Sequence, residues 1–169
     1  MQDTHFLILR HSKSNPNPAY GRGSFVGRMH EPGGQTVYLD QFDAMHEIMH
    51  ALGFYHEHNR WDRDKHVKIF WKCPYVRDNI QNFQKRFVKL ASETYGLPYD
   101  MSSVMHYPYT PIDNRLSQCS AGTRIQIKDM SKYKKYNKTD DLSEIDICKL
   151  NYLYQCPGFK CTVPLDPKQ

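Results

Sequence analysis

The sequence contains no run of about 20 apolar residues, the length a helix needs to cross a bilayer. Near its start the longest apolar run is Phe6-Leu7-Ile8-Leu9, too short for the apolar stretch of an export signal. None of its five cysteines forms a C-x-x-C pair, which argues against a cysteine zinc knuckle. There is no internal repeat and no long linker, so one domain is expected. The 169 residues are 39% hydrophobic and 24% charged, an ordinary balance for a chain that encloses a core.

The net charge of +5 is mild for this length, and a solvated basic surface is the simplest reading. KDMSKYKKYNK (128–138) interleaves lysine with tyrosine, a pattern that can bind single-stranded nucleic acid. A surface loop explains it more simply, and no nucleic-acid partner is expected. The cysteines (Cys73, Cys119, Cys148, Cys156 and Cys161) hint at an oxidising compartment. Their number is odd, so at least one thiol is free or pairs outside the chain. Asn137-Lys138-Thr139 is a glycosylation sequon, relevant only in a secreted chain.

Strands are expected at 4–10, at Ser24 to Arg28 and at Gln35 to Leu39, the last two separated by Pro32-Gly33-Gly34. A helix should follow Asp40 as N-cap, with Met45, Met49 and Leu52 on its apolar stripe and Gly53 as its stop. Ile80, Phe83, Phe87 and Leu90 predict a second helix over 76–91. A last helix should start at Ser143, with Asp146 as the acid of a capping box.

HEIMHALGFYHEHNR (46–60) holds four of the nine histidines. His46 and His50 are four apart on the expected helix, so both rings lie on one face and can reach one ion. Glu47 is offset beside them, placed to miss the metal and touch a water. A catalytic zinc needs a third protein ligand, and Gly53 permits a sharp turn that brings His56 round. The pattern is H-E-x-x-H-x-x-G-x-x-H, far more specific than H-E-x-x-H alone. His58 lies outside the pattern and reads as a surface residue. About fifty residues on, Ser103-Val104-Met105-His106-Tyr107 supplies a methionine in the place of a Met-turn.

Together, HEIMHALGFYHEHNRWDRDKHV (46–67) and YDMSSVMHY (99–107) resemble the astacin family of metallopeptidases, which are metzincins. SFVGR (24–28) is similar to the family's edge strand, and LSEIDICKLNYLYQC (142–156) to its closing helix and terminal cysteine. The resemblance implies an α+β fold, with a small mixed sheet and the zinc helix above a cleft. An irregular lower half would hold the Met-turn and the last helix. It implies one zinc ion on His46, His50 and His56, with Tyr107 as a further, movable ligand that turns to the oxyanion. Glu47 becomes the general base and Met105 a support. Glu57 matches the anchor of the family's mature N-terminus, and Asp146 an acid near the ligands. Ser24, Phe25, Val26 and Gly27 would pair with an extended peptide.

The expected function is zinc-dependent endopeptidase, cleaving peptide or protein substrates by a zinc-activated water. The alternative is a remnant that binds without catalysis. The resemblance also implies secretion. Family domains begin upstream of residue 5, so residues 1–156 read as an N-terminally incomplete catalytic domain and 157–169 as a tail. The usual partner of Cys156 lies upstream. Cys73, Cys119, Cys148 and Cys161 are extra to the family pattern, and a small Cys156–Cys161 loop is left open.

Overall fold

A computed structural model describes residues 5–16, 23–30, 32–40, 43–86, 94–109, 124–129 and 141–167. Phe87, Leu90, Cys119, Asn137 and most of the lysine–tyrosine segment lie outside these residues. The chain divides into two compact units, Met1–Tyr55 and His56–Gln169.

In the first unit, β1 (His5–His11) runs parallel to β2 (Gly33–Leu39), with His5 opposite Gly33 and His11 opposite Leu39. Helix α1 (Ala44–Ala51) packs on β2. Val37, Met49, Ala51 and Phe54 form the buried centre. Met49 thus carries the expected stripe, while Met45 and Leu52 are half-buried. The helix starts later than expected. Asp43 itself stands at the N-cap, without a side-chain cap bond, and its carbonyl accepts the Glu47 N–H at 3.1 Å.

The strand expected at Ser24 to Arg28 does not form. Only Gly23 bridges Tyr38, and the following residues loop away. The side chain of Gln35 explains this. Its amide nitrogen donates to the carbonyls of Phe25 (3.3 Å) and Gly27 (3.1 Å), and its oxygen accepts the Met29 N–H (3.2 Å). The loop's backbone is satisfied by one buried side chain instead of a ladder.

In the second unit, β3 (Val67–Ile69) pairs antiparallel with β4 (Ile125–Ile127). Val67, Ile69, Ile125 and Ile127 point into the core beside Phe70, Val76, Phe83, Tyr99 and Met101. Three-residue strands are too short to give a readable alternation, which is why the sequence did not announce them. Among the described residues the strands therefore form one parallel and one antiparallel pair, and with the helices make an α+β fold.

Of the helix expected over 76–91, the described part, 76–86, holds instead the end of a short α2 (Pro74–Asp78) and a single 3-10 turn at Ile80–Asn82, and 87–91 lie outside the described residues. The next carbonyls take side-chain donors from 58–63. The Asn82 carbonyl accepts from His58 Nε2 (2.9 Å) and Asn59 Nδ2 (3.1 Å). The Phe83 carbonyl accepts from Arg63 (2.8 Å), and that of Gln84 from Asn59 (2.6 Å). Long-range hydrogen bonds override the local period: Phe83 is buried as the pattern demands, but Ile80 is 46% exposed.

Helix α3 (Glu144–Tyr154) begins with the expected capping box between Ser143 and Asp146. Cys148 on its inner face is bonded to Cys161, so Cys156 is left exposed and free, and the small Cys156–Cys161 loop does not form. Cys73 is also in a disulfide. Beyond the helix, the Asp166 N–H donates to the Gly96 carbonyl at 2.8 Å, so residues after 156 are held against this unit.

Around α3 lie two buried carboxyls with opposite shifts. Burial pushes Glu57 up, but Lys149 (2.5 Å) and Arg60 (2.9 Å) outweigh it and hold the carboxyl at about 2. Asp100 is pushed up to about 6 by burial and by the neighbouring negative charge of Glu57, although Ser143 donates to it. An unfolded Asp100 would titrate near 3.8, so between there and about 6 the folded chain holds the extra proton. Stability from this group is therefore present below pH 4 and lost as pH rises through 6, by on the order of 2–3 kcal/mol. In Asp100→Asn that fall should disappear. Urea unfolding between pH 4.5 and 6.5 measures the difference between the two proteins, from which the Glu57 contribution, common to both, cancels.

Candidate metal centre and active site

Helix α1 presents His46 and His50 one turn apart, with ring centroids 4.7 Å from each other and planes nearly perpendicular. Its end is built by two backbone hydrogen bonds. The Gly53 N–H donates to the His50 carbonyl (2.9 Å) and the Phe54 N–H to the Met49 carbonyl (3.0 Å), the pairing of a Schellman cap. Gly53 stands at φ +106°, a conformation that disfavours any residue with a Cβ. The reversal carries the chain back so that one ring nitrogen from each of His46, His50 and His56 lies within 4.8 Å of the others.

The donor set fits zinc: three imidazoles, each offering one ring nitrogen toward a common point. His50 is best defined. Its Nδ1 lies 2.7 Å from the Phe54 carbonyl, which can only accept, so Nδ1 carries the proton and Nε2 keeps its lone pair for a metal. Burial, then the nearby His46, pushes the His50 pKa down to about 4, so the ring is neutral as a metal ligand must be. Glu47 follows His46 on α1 and is buried.

In the second unit, His56 opens a 3-10 turn, Glu57–Asn59. The Glu57 N–H donates to the Met105 carbonyl (3.0 Å), tying the third histidine's turn to the Met-turn. Met105 is buried, and its own N–H donates to Ser103 Oγ (3.0 Å). Asp146 supports both partners: one oxygen accepts from Ser103 Oγ (2.7 Å), the other from the Val104 N–H (2.9 Å). The same carboxylate closes the capping box of α3, so one side chain serves cap and turn together. The Tyr107 ring lies 4.4 Å from the His56 ring, between centroids.

Ser24, Phe25, Val26 and Gly27 form a loop instead of a strand, as described above. It stays tethered to α1, because the Gly27 N–H donates to the His50 carbonyl at 2.9 Å. Phe25 is exposed.

The expectation that His58 lies at the surface is wrong, since its exposure is 0%. Sequence reasoning also passed over Gln35, Asn59, Arg60, Arg63 and Lys149, all buried and hydrogen-bonded. Residues 57–59 form a 3-10 turn, which has no readable period, so no pattern in that stretch could have marked His58 as buried.

Residues 12–155 match the model of the astacin family of peptidases. The low choriolytic enzyme of Oryzias latipes is 36% identical over 160 residues, covering 90% of this chain and 54% of that protein. Zinc metalloproteinase nas-8 of Caenorhabditis elegans is 40% identical over 144 residues, covering 81% of this chain and 33% of that protein. The chain thus spans about half the length of the first relative and a third of the second. Among solved structures, high choriolytic enzyme 1, a hatching enzyme zinc-protease from Oryzias latipes, superposes with a TM-score of 0.65 at 27% identity. That match covers 92% of this chain and 72% of the other. With its three histidines drawn together and its family model matched over 144 of 169 residues, the chain belongs to the astacin family.

Proposed function

We propose that this chain is a zinc-dependent endopeptidase acting on peptide bonds of proteins, with residues 1–156 as its catalytic part. The observation that carries the reading is the convergence of His46, His50 and His56 on one point, with Glu47 beside them on the same helix.

When bound, zinc supplies a Lewis acid that polarises a carbonyl and lowers the pKa of water to about 7. Glu47 takes the proton of the attacking water and returns it to the leaving amine. Its buried place on α1 favours this, because a carboxylate shielded from bulk solvent exchanges protons with the reacting groups. Tyr107 swings its phenol from the His56 side to donate a hydrogen bond to the oxyanion as charge develops there. The exposed ring of Phe25 offers the substrate an apolar contact beside Ser24, Val26 and Gly27. An extracellular setting is supported by the Cys148–Cys161 bond and the bonded Cys73. Among the described residues no helix is long and apolar enough to cross a membrane.

Elemental analysis after dialysis should find about one zinc per chain, as a closed three-histidine set requires. A chain without zinc would leave only the remnant reading. Glu47→Gln should keep the zinc and lose about 10²–10⁴ in cleavage of a quenched fluorescent peptide. Full turnover in that variant sinks the base assignment. Tyr107→Phe should lower kcat by about 10²–10³ with KM little changed. A change confined to KM would assign Tyr107 to binding instead.

A further inference from the structure

We propose that His58 is a positioning residue: its imidazole fixes the backbone and ring of Tyr107, and so sets the pivot from which the phenol works. The proposal rests on the reading of Tyr107 given above.

A fully buried imidazole carries two polar nitrogens, and both must be satisfied. His58 Nε2 lies 2.9 Å from the Asn82 carbonyl, which only accepts, so Nε2 carries the proton. Nδ1 is then an acceptor, and the Tyr107 N–H donates to it at 3.4 Å. The tautomer is thus decided by two partners 24 and 49 residues away in sequence. On the other side of the same residue, His106 Nδ1 donates to the Tyr107 carbonyl at 2.6 Å. His106 Nε2 is then an acceptor, and the Tyr99 O–H donates to it at 2.8 Å. Two neutral imidazoles therefore grip the N–H and the C=O of Tyr107.

The rings repeat the arrangement. His58 is stacked on His56, with centroids 5.0 Å apart and planes 16° from parallel, and lies 4.5 Å from the Tyr107 ring. Each of the three rings touches the other two. His58 is itself anchored: Phe83 packs against it at 5.6 Å, and Arg63 bonds to its carbonyl at 2.7 Å. With the backbone of Tyr107 clamped, a swing of the phenol needs rotation of the side chain alone. A donor held this way meets the oxyanion with little reorganisation.

Packing alone would be served by any flat ring. The proposal demands the nitrogen pair, and a double-mutant cycle separates the two. The zinc-loaded full chain is assayed as His58→Phe, Tyr107→Phe and the double variant, on the same quenched fluorescent peptide. His58→Phe should keep its zinc and lower kcat about tenfold or more with KM within about threefold, yet cost less than about twofold in the Tyr107→Phe background. His58→Gln, which offers an acceptor and a donor at similar reach, should recover most of the loss. In the zinc-free chain, amide exchange at 105–109 should quicken in His58→Phe and stay slow in His58→Gln. If His58→Phe does not fold, His58→Asn replaces it, being polar but too short to reach both partners. Equal cost in both backgrounds, or no recovery by glutamine, overturns the positioning role and leaves Tyr107 untouched. Full turnover in Tyr107→Phe overturns both readings at once.

Discussion

The second unit depends on one buried carboxylate. Glu57 is 3% exposed, and a charge so enclosed persists only with partners of opposite sign and hydrogen bonds to its oxygens. It has Lys149 from α3, Arg60 from its own turn and the N–H of Asp100. Arg60 in turn forks onto Asp62 and reaches the carbonyls of Leu97 and Pro98. Through these bonds the residue next to the third histidine is fixed to the last helix and to the approach of the Met-turn. Removing one partner would leave the others as uncompensated charge, so the group stands or falls together.

The same economy recurs at Asp146. A capping acid is ordinarily a local device, worth about 1 kcal/mol to its helix. Here its oxygens also take Ser103 and Val104, so the start of α3 and the Met-turn share one anchor. Lys149 lies three residues further along α3, nearly one turn on, on the face that meets Glu57. The final helix is therefore less a closing element than a brace, holding with two side chains the turns that carry His56 and Met105.

What could be read from the sequence follows from how each feature is encoded. The histidine pair, the glycine reversal and the third histidine are a local pattern with helical spacing, and they stand where the spacing puts them. The capping box at Ser143 is likewise local. Failures came where distant groups decide local structure. The helix expected over 76–91 has the right apolar period, yet Asn59, His58 and Arg63 claim its carbonyls. The strand expected at Ser24 is undone by Gln35. His58 looked incidental because its partners, Asn82 and Tyr107, are remote in sequence. Polar side chains that bond to backbone across the fold leave no periodic trace.

The cap that ends α1 has a consequence for how an ion is captured. Its hydrogen bonds join backbone groups of residues 49 to 54 and use no ligand atom of His46, His50 or His56. Residues 50 to 54, the first part of the link to the third ligand, are thus held by the chain itself, and the entropy of ordering them is not charged to the ion. A flexible loop of the same length would have to be ordered at each binding event. Preorganisation of this kind removes that ordering cost and so tightens the hold on the ion, and a looser turn at Gly53 would show itself as metal lost more readily on dilution.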